Sequence, residues 1–192
     1  MTAQPDSPHI GLVVEGPGDR EAVPVLLRRY LELHGVYGDL LGKPIPCNGR
    51  GRATVANGIE GYAATAAARP GCRAVLVILD SDDDAVCKLG PELEQRVKRV
   101  VGVPVVIVLA EKCYEDWLYA SAETLQIGIN VHIPDRRGQV AIRMAMGTKY
   151  IKPVWQPKLT HRVDLKLARQ RSHSLNRLFE KFDKLREAVD SS

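Results

Sequence analysis

Acidic side chains follow the hydrophobic stretches of this sequence at the point where each stretch ends. Glu15 comes directly after an apolar run and before a Gly-Pro-Gly turn, with Asp19 four positions after it. Asp80 and Asp82 come directly after a second apolar run, in a segment with four aspartates within five positions. Like charges at this density repel one another unless a cation or a basic partner neutralises them. Carboxylate oxygens suit Mg²⁺ or Mn²⁺, so we expect Glu15, Asp80 and Asp82 to hold one of these ions.

A third apolar run also leads to acidic residues. It is followed by Glu111, and Glu115 lies four residues later, a spacing that places both side chains on one face of a helical turn. We expect one of these glutamates to complete the metal shell, and we favour a ligand role for Glu115 over a surface position. A structural alternative stays open for the aspartates at 80–84, which could cap the following helix, where negative charge is favourable.

The elements that must position these residues form a repeating pattern. Each of the apolar runs 9–14, 73–79 and 103–109 is followed by apolar residues at helical spacing, which is typical of strands connected by crossover helices. The sequence therefore predicts an α/β, Rossmann-like fold with a mostly parallel sheet of three to four strands and flanking helices. The segment 43–46 contains two prolines and predicts a short edge strand. In such sheets ligands bind at the carboxyl ends of the strands, where the acidic residues fall.

Charge divides the chain into two parts. The protein has 192 residues and a formal net charge of +4, but residues 149–192 hold 11 Lys and Arg against 5 Asp and Glu. We expect a core at 1–125 and a basic helical C-terminal extension at 126–192 that packs on the core through a final amphipathic helix. An acidic site combined with a basic segment is compatible with a metal centre that acts on a polyanion, although a solvated helical face would carry the same charge.

Composition also excludes several classes of protein. The four cysteines lie far apart without a Cys-x-x-Cys pair, and the five histidines do not pair at metal-ligand spacing, so any metal must be held by oxygen. No apolar run approaches the roughly 20 residues of a membrane helix. The polar N-terminus lacks the layout of a signal peptide, so we expect a cytoplasmic protein without membrane contact.

The motifs at the first two strand ends resemble those of a known fold. The segment 14–19, Val-Glu-Gly-x-x-Asp, is similar to the glutamate motif of the TOPRIM fold, and Asp80-x-Asp82 is similar to its paired-aspartate motif. This fold is the catalytic domain shared by topoisomerases, bacterial primases and OLD-type nucleases. The resemblance therefore implies a TOPRIM-like core with a divalent metal.

Roles for single residues follow from this resemblance. Glu15 would be a metal ligand or a general acid/base, and Asp80 and Asp82 would be the metal-binding pair. Asp19 or Glu115 would help to hold a second metal. Two metals would activate water and stabilise the leaving oxygen of a phosphodiester.

Later motifs extend the resemblance over nearly the whole chain. The segments 111–117, 149–152 and 172–175 resemble those of small stand-alone bacterial TOPRIM-like proteins, which are often associated with ATPase partners in phage or mobile-element defence. The resemblance implies that Lys149 or Lys152 stabilises charge on the phosphate in the transition state.

Four arginines are the expected contacts to nucleic acid. A Gly-Arg turn carries Arg50 and Arg52, and the basic C-terminal segment carries Arg169 and Arg171. Guanidinium groups suit phosphate oxygens, although exposed arginines without such a role are commoner.

The sequence thus predicts a Mg²⁺- or Mn²⁺-dependent nuclease, or a nuclease subunit, that acts on DNA or RNA. Topoisomerase and primase activity need regions that we do not find in this sequence, which leaves cleavage as the expected TOPRIM chemistry.

One alternative is a non-catalytic TOPRIM-like module that binds nucleic acid or an ATPase. A phosphatase for a small substrate ranks last, because that activity leaves Glu15 and Glu111 unexplained. A monomer and a homodimer both stay open, as does the need for a partner.

Overall fold

The computed structural model describes residues 7–82 and 86–190, which form an α/β fold. The strands are β1 (His9–Val14), β2 (Ile45–Pro46), β3 (Cys72–Asp80) and β4 (Val105–Ala110). The helices are α1 (Pro17–Leu33), α2 (Arg50–Thr54), α3 (Gly58–Ala67), α4 (Val86–Lys98), α5 (Tyr114–Tyr119), α6 (Gly138–Met146), α7 (Lys152–Arg162), α8 (Leu165–Arg171) and α9 (His173–Asp190). Short 3-10 turns occupy Ala122–Thr124 and Gly147–Lys149.

The four strands form one sheet in the order β2-β1-β3-β4, and all the pairings are parallel. Val13 of β1 lies beside Val77 of β3, and Val77 lies beside Ile107 of β4. β2 is a two-residue edge strand that contains Pro46, as predicted from its prolines. The expected Rossmann-like fold with a parallel sheet of three to four strands is therefore confirmed.

Helices cover both faces of the sheet. Alternate residues of β3 point in opposite directions, so that Leu76 and Ile78 pack with α1 and α9, whereas Val75 and Val77 pack with α3 and α4. Because both faces of the strand are buried, its sequence is a continuous apolar run and not an alternation of apolar and polar residues.

The last helix, α9, supplies a large part of the core on one face. Its large apolar side chains are buried and occur at the expected helical spacing, namely Leu175, Leu178, Phe179, Phe182, Leu185 and Val189. Phe179 stacks on Tyr30 of α1 with ring centroids 4.0 Å apart. The helix packs against β1, β3 and β4, so the segment after residue 125 closes one side of the sheet.

One detail of the sequence interpretation is wrong. Glu111 and Glu115 do not share a helical face, because α5 begins only at Tyr114 and Glu111 lies in the exposed turn before it. The aspartates at 83 and 84 lie outside the described residues. Within the described ranges, no helix has the length and apolar character needed to cross a membrane.

Candidate functional site

The strand order creates a crevice at the carboxyl end of the sheet. The chain passes from β1 to β2 on one side and then continues with β3 on the other side of β1, and ligands of α/β sheets bind where the direction reverses in this way. Glu15 follows β1 and Asp80 ends β3, so both flank this point. The backbone N–H of Asp80 donates to Glu15 Oε2 at 2.9 Å, which joins the two strand ends.

Asp80 also fixes the position of α5. Its Oδ1 accepts a hydrogen bond from the backbone N–H of Tyr114, the first residue of that helix, at 2.9 Å. The helix whose start Asp80 contacts therefore follows β4, and it is not the helix after β3 that the structural alternative named. The carboxylate is 9% exposed and keeps Oδ2 for another partner.

The turn after β1 brings Asp19 to the same edge. Asp19 Oδ2 accepts a hydrogen bond from the backbone N–H of Gly16 at 2.9 Å and so caps the start of α1. Gly18 lets this helix approach α7 closely, because a Cβ atom at this position would lie only 1.8 Å from Gln156 Oε1. A larger residue at position 18 would therefore fit only if the buried side chain of Gln156 moved.

Glu115 is the centre of a buried polar cluster. Its side chain is 0% exposed, and its Oε1 accepts hydrogen bonds from the Tyr150 hydroxyl at 2.8 Å and from Gln156 Nε2 at 3.3 Å. Lys152 Nζ lies 3.2 Å from the same oxygen. Sequence reasoning assigned no role to Tyr150 or Gln156. The one available signal is the position of Gln156, four residues after Lys152 and therefore on the same face of α7.

Two buried oxygens in this cluster have no hydrogen-bond partner. They are Glu115 Oε2 and Gln156 Oε1, and both residues are fully buried. A buried acceptor without a donor costs about 1–3 kcal/mol, so these oxygens are suited to accept a hydrogen bond from a bound water or to bind a cation.

The carboxylates of the site repel one another in the absence of further positive charge. Burial and the nearby charges of Asp19 and Glu15 raise the pKa of Asp80 to about 9. Burial also raises the pKa of Asp19 to about 6 and raises the pKa of Glu15 above its usual value. Burial lowers the pKa of Lys152, but Glu115 and Asp80 outweigh burial and leave it raised. The cluster therefore favours the binding of a cation.

Two loops at the rim of the crevice are joined to each other. Asp82 donates its backbone N–H to the Lys112 carbonyl at 2.9 Å, and Lys112 donates its own N–H to Ser81 Oγ at 2.8 Å. Asp82 and Lys112 both have positive φ angles, 51° and 67°. Such backbone conformations cost energy in residues other than glycine and cluster at functional sites.

Asp82 lies at the exposed rim, 3.2 Å from the Arg50 guanidinium. Its charge contributes to raising the pKa of Glu15. Arg50 is thus at the site, while Arg52 is exposed on α2. Lys149 is exposed in the turn before Tyr150, and of the two candidate lysines it is Lys152 that contacts the carboxylates.

The two C-terminal arginines have separate surroundings. Arg169 donates two hydrogen bonds to Asn176 Oδ1, at 3.1 and 3.0 Å. Arg171 donates to the Glu123 carboxylate and to the Ala120 carbonyl. These residues therefore do not form one basic patch.

The donor set suits a hard divalent cation. Glu15, Asp19 and Asp80 offer carboxylate oxygens, and Glu115 and Gln156 add the two unpartnered oxygens. In the described parts of the chain, no group of three His, Cys, Asp or Glu side chains has the geometry of a preformed metal site. The charge, the oxygen donors and the unpartnered atoms nevertheless fit Mg²⁺ or Mn²⁺ at the crevice.

Comparison of the chain with protein-family models, with curated proteins and with solved structures gave no significant match.

Proposed function

We propose that this protein is a metal-dependent phosphodiesterase of TOPRIM type, a nuclease or nuclease subunit. The observation that carries this proposal is the convergence of four carboxylates and one lysine at the crevice between β1 and β3. They come from five different elements or turns and are Glu15, Asp19, Asp80, Glu115 and Lys152.

Three carboxylates would hold the metal. Glu15 and Asp19 are partly exposed and Asp80 is 9% exposed, and each has a raised pKa that a bound cation would lower again. A divalent ion at this position would activate water and stabilise the leaving oxygen of a phosphodiester. Glu115 and Gln156 lie behind these groups, and their unpartnered oxygens could accept from metal-bound water or coordinate a second ion.

Lys152 would stabilise charge on the phosphate. Its side chain is 35% exposed, and its ammonium lies against Glu115. The ion pair with Glu115 and the hydrogen bond from Tyr150 hold this region of α7 in place before the substrate binds. A preorganised cation beside developing negative charge is worth on the order of 10²–10³ in rate.

We further propose nucleic acid, either DNA or RNA, as the substrate. Support comes from Arg50 at the rim of the crevice and from the basic segment 149–192. An ATPase partner in defence against phage or mobile elements, which rests on the resemblance alone, and the cytoplasmic location expected from the sequence complete the proposal.

Nicking of supercoiled plasmid and cleavage of labelled RNA, with Mg²⁺, Mn²⁺ or EDTA, would test this function. We expect metal-dependent cleavage by the wild type and its loss in Glu15→Gln and Asp80→Asn. Asp39→Asn is the matched control, since Asp39 is an exposed carboxylate on the surface. Binding of Mn²⁺, followed by calorimetry in the absence of substrate, should fail in the same two variants. Cleavage that persists in both variants, or in EDTA, would contradict the proposal.

A non-catalytic binding module is the second candidate. It is favoured by the internal partners of the acidic groups: Asp80 caps α5, Asp19 caps α1, and Lys152 pairs with Glu115. In that case nucleic acid would bind in EDTA with strong salt dependence, and Asp80→Asn would leave binding unchanged.

A further inference from the structure

A second pocket is bounded by α1, α8 and the start of α9. It has a volume of about 460 Å³ and is open to solvent. Its nine described lining residues are Tyr30, Leu33, His34, Leu165, Lys166, Arg169, Gln170, His173 and Asn176. None of the carboxylates of the acidic crevice lines it, so it is a separate site.

The lining of this pocket is cationic. Lys166, Arg169 and His173 come from α8 and α9, and no Asp or Glu is among the nine described lining residues. Asp183 and Glu180 lie nearby, where they accept hydrogen bonds from the Tyr30 hydroxyl at 2.6 Å and from Asn176 at 2.8 Å, but neither of them lines the pocket. The charged side chains that do line it, among the described residues, are Lys166 and Arg169, so the pocket favours an anion.

Arg169 is held in position before any ligand binds. Its guanidinium group donates two of its five N–H groups to Asn176 Oδ1 and lies over the rings of Tyr30 and Phe179, 5.6 and 5.4 Å from their centroids. A fixed guanidinium loses little side-chain entropy when it binds phosphate, and its planar geometry matches phosphate oxygens.

The side formed by α1 is apolar and aromatic. It consists of Tyr30, Leu33 and His34, and the rings of Tyr30 and His34 lie 4.3 Å apart. Tyr30 is only 2% exposed, whereas Leu33 is 69% exposed, so Leu33 and His34 provide the accessible surface on this side. The volume of the pocket falls in the range of about 300–1,000 Å³ that is typical of small-molecule sites. It is therefore larger than a phosphate ion alone would need. The second part of the ligand should therefore be planar or apolar.

We propose that this pocket binds a nucleoside phosphate, with the phosphate at Lys166, Arg169 and His173 and the base against the α1 side. The proposal is independent of the nuclease proposal. It gives Arg169 a role other than the expected contact with nucleic acid, namely binding of the nucleotide phosphate. Arg171 has no part in this role, because it does not line the pocket.

Calorimetric titration with AMP, ATP and inorganic phosphate tests the proposal. EDTA is present throughout, so that no metal can recruit a nucleotide to the acidic crevice and failure of the nuclease proposal cannot affect the outcome. We expect saturable 1:1 binding of AMP or ATP. The affinity should fall about tenfold in Lys166→Gln and in Arg169→Gln, since each removes a charged hydrogen-bond donor. Arg73→Gln, at an exposed arginine of β3, is the matched control and should bind as the wild type does.

Four results would overturn the proposal. They are absence of saturable binding, binding that Lys166→Gln leaves unchanged, phosphate binding as tight as that of AMP, and binding of a short single-stranded oligonucleotide without binding of AMP or ATP. The last result would make the pocket part of a nucleic-acid path. Because Lys166 is exposed, its variant should fold normally even if Arg169→Gln does not.

Discussion

Lys152 balances the charge of the one fully buried carboxylate at the site. We expect Lys152→Met to lower the free energy of unfolding by roughly 2 kcal/mol, because Glu115 would remain buried without a cation, while partial exposure of Lys152 limits the loss. Urea denaturation at pH 7 would measure this change. The double variant Lys152→Met/Glu115→Gln should recover part of the stability. Equal losses in the single and double variants would contradict this account.

Gly18 makes the close packing of α1 on α7 possible. Gly18→Ala should destabilise the protein by about 1–3 kcal/mol, because the new methyl group would overlap Gln156 in a fully buried position. The matched control is Gly61→Ala in α3, where a Cβ atom would meet nothing within 4 Å. This substitution should stabilise the helix by about 0.5–1 kcal/mol. Thermal unfolding, followed by circular dichroism, would measure the unfolding temperature of both variants. A similar change of this temperature in both would show that close packing at Gly18 does not contribute to stability.

The residues of the site could be predicted from the sequence only in part. Glu15 and Asp80 were identifiable because a carboxylate directly after a buried strand must lie at the edge of a parallel sheet. Tyr150 and Gln156 were not, because their contacts with Glu115 span 35 and 41 residues of chain and depend on how α7 docks. Local patterns hold no information about such docking.

At the scale of elements, Ser174 anchors the start of α9 to the end of β4. Its hydroxyl oxygen accepts hydrogen bonds from the Glu111 backbone N–H at 3.1 Å and from Trp117 Nε1 at 2.8 Å. Ser174→Ala should therefore lower the free energy of unfolding by about 2 kcal/mol, since it leaves buried donors without a partner. In a double-mutant cycle, Trp117→Phe should cost less in the Ser174→Ala background than in the wild type. Additive losses would argue against this anchor.

The elements themselves were more predictable than their contacts. The three long strands follow from apolar runs bounded by turns, and α9 follows from a strict apolar stripe. The prediction that Glu111 and Glu115 share a helical face was wrong, because a spacing of four residues indicates a shared face only if both residues lie in the helix. Here residues 111–113 form a loop, and the helix begins at Tyr114.

On the scale of the whole molecule, the sheet cannot be covered by the first 125 residues alone. α9 packs on three of the four strands, and its Phe179 and Phe182 are completely buried. A fragment of residues 1–125 should therefore lack a cooperative unfolding transition and should bind the dye ANS, because one face of the sheet would be exposed. Near-ultraviolet circular dichroism and urea titration would show this. A sharp transition in the fragment would mean that the C-terminal segment is dispensable for folding.

The cluster around Glu115 has a consequence for synthesis on the ribosome. Its carboxylates lie on segments made early, whereas Tyr150, Lys152 and Gln156 are made late. A nascent chain that has already released β1, β3 and α5 still lacks every one of these late partners. The acidic crevice is therefore completed only after α7 has left the ribosome, and any activity that depends on it is absent until then.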